Sequence, residues 1–338
     1  MPSATDDLVA ARRTVGRPLR FDEYLSIALY GRHGFYTSAG RAGRRGDFLT
    51  SPEVGPLFGA VLARWIAAEF ARLGEPDDFT VIEAGAGPGT LARAVLLAAP
   101  QWADRYVTVE VAESQRVLHP HGVRPMADLP AGPVAGVVIA NELLDNLPFR
   151  LAVFDGEWRE ALVEVARDGQ LSEVTVPPPA GWSWLPTHAA HGSRVPVQVG
   201  ASNWVDQARS ILRAGTVLAF DYCTPQTPML AAMPWRDWLR TYRGHERGVH
   251  YLREPGLQDI TAQVCVDQLP HVTAARAQAQ FLQRWGIDEL VEEGKAVWRE
   301  NAASPSVHSL RMRSRVGEAE SLLDPSGLGG FVALVWSS

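Results

Sequence analysis

A chain of 338 residues with 46% hydrophobic content is long enough for one large or two ordinary domains with a proper core, which excludes wholesale disorder. A net charge of −6, from 32 basic and 38 acidic residues, argues against a general affinity for nucleic acid or an anionic membrane. Lys295 is the single lysine, and the arginines are scattered rather than gathered into a basic surface, a bias that points to a GC-rich bacterial genome.

Cys223 and Cys265 stand far apart without metal-ligand spacing, so reduced thiols, a cytoplasmic setting and no metal are expected. The start, MPSATDDLVAARR, lacks the apolar core of a signal peptide, and no run approaches the ~20 apolar residues of a membrane helix.

In chain order, residues 1–78 read as an N-terminal unit of helices and loops. Its strongest element is the helix SPEVGPLFGAVLARWIAAEF, with Ser51 as N-cap, Pro52 in the first turn and one broad apolar face from Val54 to Ile66. Short apolar runs then alternate with helical segments through residues 79–149: FTVIEA, LARAVLLAA, YVTVEV, a turn at ESQRVL, and VAGVVIA. That alternation predicts an α/β fold with a doubly wound parallel sheet. Between 150 and 200 the period becomes two, in RLAVFDGEW, EALVEVARDG and QLSEVTV, which predicts an inserted antiparallel meander. Alternation resumes over 201–338 with the helix WVDQARSIL and the strand TVLAFDY, then a helical region at 271–300, an Arg-rich linker and a last strand GFVALVW.

Two stretches carry chemistry. In VIEAGAGPGTL a strand runs into Gly85, Gly87 and Gly89 and a helix follows, so backbone N–H groups can approach a ligand at a helix N-terminus. Position 90 holds Thr where the dinucleotide fingerprint wants its third glycine. Glu83 stands two residues before the first glycine, where it would repel a pyrophosphate and attract the ammonium and sulfonium of S-adenosyl-L-methionine. Glu110, at the end of YVTVE and 21 residues past Gly89, is placed to hold two ribose hydroxyls. Together these favour S-adenosyl-L-methionine over NAD.

The second stretch is IANELLDNLPF. Asn141 and Glu142 follow a buried apolar run, at the strand end where α/β proteins bind ligands. The competing reading makes Asn141 a helix cap and Glu142 a first-turn decoration. Asp145 reads as a helix-surface charge. Asp221-Tyr222 again end a strand, and Gln258-Asp259 follow a Pro-Gly turn, with Asp259 either in the cleft or capping a helix from Ile260. His33, His119, His121, His188 and His191 read as solvent or core residues.

The blocks GFYTSAGRAGRRGDFLTSPEVGPLFG, IEAGAGPGTLA, YVTVEVAESQR, IANELLDNLPF, LAFDY and PGLQDITAQV resemble, in order and rough spacing, the MidA-like methyltransferases. The resemblance covers roughly residues 20 to 270 and the last strand. It implies a Rossmann-like class I fold and S-adenosyl-L-methionine as cofactor. It also implies a protein arginine acceptor, since the family's mitochondrial member methylates an arginine of a complex I core subunit during assembly. Carried over by position, Glu83, Gly85, Gly87, Gly89 and Glu110 look like the cofactor shell. Gly46, Asp47 and Phe48 look like part of a covering loop, expected to order on ligand binding. Asn141 and Glu142 look like the reaction-side pair, and Tyr242 and His245 match a tyrosine-and-histidine block. Three features depart from the pattern: Arg93 stands where relatives often carry an acid, the stretch after Glu110 is short, and the 150–200 segment is divergent and Pro-rich.

Two alternatives stay open at this level, a small-molecule O- or N-methyltransferase and a non-catalytic assembly chaperone. The expected partner is a protein substrate, without nucleic acid or membrane insertion, and a homodimer is compatible with the sequence.

Overall fold

The computed structural model of the protein describes residues 2–38, 50–244 and 246–337. Gly46, Asp47, Phe48 and His245 therefore lie outside the described residues. Two compact units emerge, and they are interleaved along the chain. The first combines the described residues of Met1–Phe48 with Leu143–Gln207 and Tyr222–His271; the second is Leu49–Glu142, Ala208–Asp221 and Val272–Ser338. Consecutive reading at 78, 149 and 200 follows composition along the chain. Compactness follows strand pairing, which takes partners from distant segments.

The second unit is built on a seven-stranded sheet: β1 Thr80–Ala84, β2 Tyr106–Val109, β3 Arg124–Met126, β4 Val134–Asn141, β5 Leu212–Asp221, β6 Ala274–Ala277 and β7 Val332–Ser337. Their spatial order is β6-β7-β5-β4-β1-β2-β3. The pairs β1–β2, β2–β3, β1–β4 and β4–β5 are parallel, while β7 runs antiparallel to both β5 and β6. The parallel run is the predicted doubly wound sheet, and its strand order reverses between β1 and β4. Ligands bind outside the carboxyl ends of the strands at such a switch point.

Helices α1 Pro56–Arg72, α2 Thr90–Ala98, α3 Gln278–Arg284, α4 Ile287–Asn301 and α5 Val307–Leu323 belong to the same unit. Phe58 of α1, Phe220 of β5 and Phe281 of α3 meet edge to face at centroid distances of 5.3 and 5.2 Å. All three rings are buried, and each contributes roughly 1.5–3 kcal/mol of apolar burial to the layer between helix and sheet.

Two expectations are corrected here. The long helix from Ser51 is broken: Ser51–Val54 forms a short helical turn with Thr50 at its N-cap position but no side-chain cap bond, Gly55 is extended, and α1 starts at Pro56. Proline has no N–H to continue the ladder, and the buried start of α1 is met by Glu318, whose carboxylate accepts the Leu57 N–H at 2.8 Å. A Cβ on Gly55 would lie 2.2 Å from that carboxyl carbon. The Arg-rich linker is also a helix, α5, begun by a capping box at Ser306 and Ser309. Its buried residues Met312, Ala319 and Leu322 are too sparse for a helical stripe to be visible in the sequence.

The first unit holds the predicted meander. Strands Arg150–Phe154, Trp158–Val165, Leu171–Val176 and Arg194–Val197 pair antiparallel, and Leu19–Arg20 adds to Trp158–Val165. Helix Phe21–Tyr30 covers this sheet, with Phe21 and Tyr24 in one core with Phe149 and Tyr251. A separate ribbon carries Leu239–Arg243 between Glu246–Arg247 and Asp259–Ala262.

Candidate active site

The glycine loop follows β1 directly, and Gly85, Gly87 and Gly89 all adopt left-handed backbone, with φ of 66°, 50° and 76°. Only glycine takes that conformation without strain. A Cβ on Gly87 would meet no protein atom within 4 Å, so the loop turns an unobstructed face outward there. The Gly87 N–H is donated to Glu110 Oε2 at 2.9 Å, and Glu110 Oε1 accepts the Ala112 N–H at 2.9 Å. Glu110 stands one residue beyond β2 rather than within it. Each of its oxygens keeps a second lone pair that can accept a hydroxyl, so the group fits a ribose diol.

The loop after Glu110 is pinned by two arginines, one of them the departure noted at position 93. Arg93 of α2 donates to the Leu118 carbonyl at 2.9 Å, and Arg116 donates to the carbonyls of Glu110 and Val111 at 2.6 and 2.8 Å. His119 bridges the Thr108 hydroxyl and the Gly87 carbonyl at 2.7 and 2.8 Å. Its reading as an ordinary solvent or core histidine is corrected: it braces the glycine loop. Sequence alone carries no signal for this contact, because 32 residues separate the partners.

Glu83 lies on β1 and is buried, with Tyr106 OH donating to its Oε2 at 2.7 Å. Burial is the main reason its carboxyl is pushed up to about 8, against the pull of the Tyr106 hydroxyl and Arg93. Its charge is thus suppressed at neutral pH, a cost that a nearby cation would relieve.

At the end of β4, Asn141 belongs to the strand, and the following 3₁₀ turn Leu144–Asn146 has Leu143 at its N-cap without a side-chain bond. The helix-cap reading of Asn141 therefore fails on geometry. Its Nδ2 donates to Glu142 Oε1 at 2.9 Å, while its Oδ1 is buried without a hydrogen-bond partner. Glu142 has left-handed backbone at φ 51°, an uncommon state for a non-glycine residue that recurs at functional sites. The Ser51 N–H points at the same Oε1 at 3.4 Å, and the Ser51 hydroxyl donates to Gln278 Oε1 at 3.1 Å. Both Ser51 and Gln278 are fully buried, and the Gln278 Nε2 has no partner. Sequence reading missed Gln278; a lone glutamine opening a distant helix carries no visible pattern. Glu53, next to these, accepts from Thr90 Oγ1 at 2.7 Å and ties the TSPE segment to the start of α2. Asp221 closes β5 as a fully buried carboxyl.

The remaining candidates belong to the other unit. Asp259 begins a strand, not a helix, so its capping alternative is also removed. Its Oδ1 accepts from Tyr36 OH, Asn146 Nδ2 and its neighbour Ile260 N at 3.0, 3.0 and 2.8 Å. Asp145, expected on the surface, is 5% exposed and accepts from the Thr261 hydroxyl. Tyr242 lies opposite Asp259 in antiparallel register. Gln258 spends its amide on the loop it follows, accepting from Val249 N and donating to the carbonyls of His250 and Arg253. The Arg240 guanidinium sits 5.8 Å over the Tyr222 ring, and the Tyr222 carbonyl accepts the Val264 N–H at 2.7 Å.

Burial pushes Asp145 up to about 6 and, helped by the Asp145 charge, Asp259 up to about 7. Folded values raised above the ordinary carboxylate range mean stability that is complete below about pH 4 and lost as pH rises through 6 to 7. Thermal melts of the wild type should fall as pH rises from about 4 to 8, and Asp259→Asn should flatten that fall while matching wild type near pH 4. Parallel melting curves for both proteins across this range would contradict the assignment.

Among the described residues no group of three or more His, Cys, Asp or Glu could hold a metal ion, and no helix is long and apolar enough to cross a membrane.

Residues 61–284 match the model of a family described as "Putative S-adenosyl-L-methionine-dependent methyltransferase". The mitochondrial protein arginine methyltransferase NDUFAF7 homolog of Drosophila melanogaster is 29% identical, over 82% of this chain and 73% of its own length. The Mus musculus protein arginine methyltransferase NDUFAF7 is 25% identical, over 92% of this chain and 79% of its own. In fold, the chain is similar to a COG1565 superfamily protein from Burkholderia thailandensis solved with S-adenosyl-homocysteine bound. The TM-score is 0.81 at 24% identity, covering 99% of this chain and 92% of that one. The glycine loop, the open space at Gly87 and the diol-competent Glu110 fit an adenosine-bearing cofactor, and with well over half of its length inside the family model the chain belongs to the MidA-like S-adenosyl-L-methionine-dependent methyltransferases.

Proposed function

We propose that this methyltransferase modifies an arginine side chain of a protein, with Glu142 as the group that receives it. The observation that carries this reading is the Glu142 carboxylate itself, held at the end of β4 by the Asn141 amide and the Ser51 N–H. S-adenosyl-L-methionine supplies a methyl carbon already activated by its sulfonium, so the chain's own task is to orient the nucleophile and manage its proton. A guanidinium is a poor nucleophile because its charge is delocalised and its pKa exceeds about 12. A carboxylate can hold it through two parallel N–H bonds, concentrate the lone pair on one nitrogen and accept the proton. The names of the curated relatives support an arginine acceptor. The family resemblance extends the reading to a subunit of respiratory complex I.

In the same reading Glu110 accepts the ribose hydroxyls, and Asn141 Oδ1, buried without a partner, accepts a donor from the methionine end. Glu83 neutralises the ammonium. Because burial pushes its carboxyl up to about 8, cofactor binding at pH 7 should release protons. Calorimetry in buffers of different ionisation enthalpy measures that release. It should vanish in Glu83→Gln, and a wild type that releases none would remove Glu83 from the ammonium site.

The acceptor itself is tested by incubating the protein with labelled S-adenosyl-L-methionine and an extract of its host lacking the gene. Mass spectrometry should find methylarginine in a protein. Label confined to small metabolites would instead favour an O- or N-methyltransferase of metabolites.

A further inference from the structure

His119 lies outside every segment that the motifs single out, yet it holds the centre of the glycine loop. Its Nε2 is 2.8 Å from the Gly87 carbonyl oxygen, and its Nδ1 is 2.7 Å from the hydroxyl of Thr108 on β2. A carbonyl only accepts, so Nε2 carries the proton. In the neutral ring Nδ1 is then an acceptor, taking the Thr108 hydroxyl proton. Thr108 is fully buried, which makes a lost partner for its hydroxyl costly. The Gly87 peptide is thereby held from both sides, its N–H by Glu110 and its carbonyl by His119. The same ring limits the next glycine, since a Cβ on Gly89 would come within 3.1 Å of His119 Cδ2 and of Pro120 Cδ.

We propose that neutral His119 is a positioning residue for cofactor binding, locking the Gly87 peptide in the left-handed state that presents the loop to the adenosine-bearing ligand. The inference rests on the cofactor assignment and adds a residue to it.

The charged groups facing the ring are Glu110 at the end of β2, Arg93 on α2 and Arg116 on the short helix Glu113–Arg116. Burial, with the two arginines, holds the imidazole below its ordinary value, against the Gly87 carbonyl and the Glu110 charge, which favour protonation. A charged ring turns Nδ1 into a donor, so the fully buried Thr108 hydroxyl must accept from it and leave its own proton without a partner, a cost by which acidification disfavours the bridged loop.

The experiment is calorimetry of S-adenosyl-homocysteine binding to the full chain from pH 5 to 8, with wild type, His119→Ala and His119→Gln. Glutamine can place an N–H where Nε2 stands but does not titrate. His119→Ala should bind about tenfold or more weakly at pH 7.5, a loss of ~1.4 kcal/mol or more. His119→Gln should recover most of that affinity. Wild-type affinity should fall on acidification more steeply than that of His119→Gln, and the titration of Glu83, common to both proteins, cancels in the comparison. Nitrogen-15 NMR of the imidazole in the ligand-free wild type adds a readout independent of binding and of any variant's folding; it should show the Nε2–H form. Unchanged affinity in His119→Ala, parallel pH curves, or an Nδ1–H ring would each overturn the proposal. Failure of wild type to bind S-adenosyl-homocysteine at all would instead strike the cofactor assignment.

Discussion

Glu142→Gln should leave cofactor affinity within a few-fold of wild type and lower transfer to the acceptor by roughly 10²–10⁴, the usual range for losing an acid–base group. The substitution keeps the side-chain volume, and a glutamine oxygen can still accept from Asn141 Nδ2 and Ser51 N. What disappears is the charge that would hold a guanidinium and the base that would take its proton. Folding should be nearly untouched, because the 3₁₀ turn after Glu142 takes no cap from either member of the pair. Single-turnover methylation alongside thermal melts measures both effects. A well-folded Glu142→Gln variant with full transfer would move the acceptor site elsewhere, with Asp259 next in line.

Gly87→Leu should abolish cofactor binding, by about 10² in affinity or more, the largest effect on the binding step. The new side chain would project into the space that the loop keeps clear of protein atoms within 4 Å, where the backbone has to approach its ligand. The left-handed φ of 50° adds about 1–2 kcal/mol of strain to the folded state. Gly74 separates the two causes: it also has positive φ, 78°, and a Cβ placed there would meet no atom within 4 Å, but it follows α1 rather than β1. Gly74→Leu should cost similar stability and leave binding intact. Calorimetry with S-adenosyl-homocysteine and melts on both variants decide it, and comparable binding by Gly87→Leu would remove the glycine loop from the cofactor site.

The sequence by itself determined the elements whose signal is local. Alternating apolar runs yield the parallel strands, since a strand buried on both faces must be apolar throughout. Period two yields the meander, and three closely spaced glycines mark a turn that only they can adopt. The pair Asn141-Glu142 was legible as a strand end for the same reason: a polar step directly after a buried run. Tertiary structure alone decided what depends on partners far along the chain. Glu318, 261 residues from Leu57, caps the start of α1 where Gly55-Pro56 interrupts the helix. Asp145 reads as a surface charge because it follows Glu142 by one helical turn in the sequence, but the hydroxyl of Thr261, 116 residues on, donates to it in a buried site. His119 and Gln278 gain their meaning from Gly87, Thr108 and Ser51 across strands and helices. The physical reason is that hydrogen-bond satisfaction and burial are set by whichever groups the folded sheet brings within about 3 Å, whereas periodicity and turn chemistry are set by neighbours along the chain.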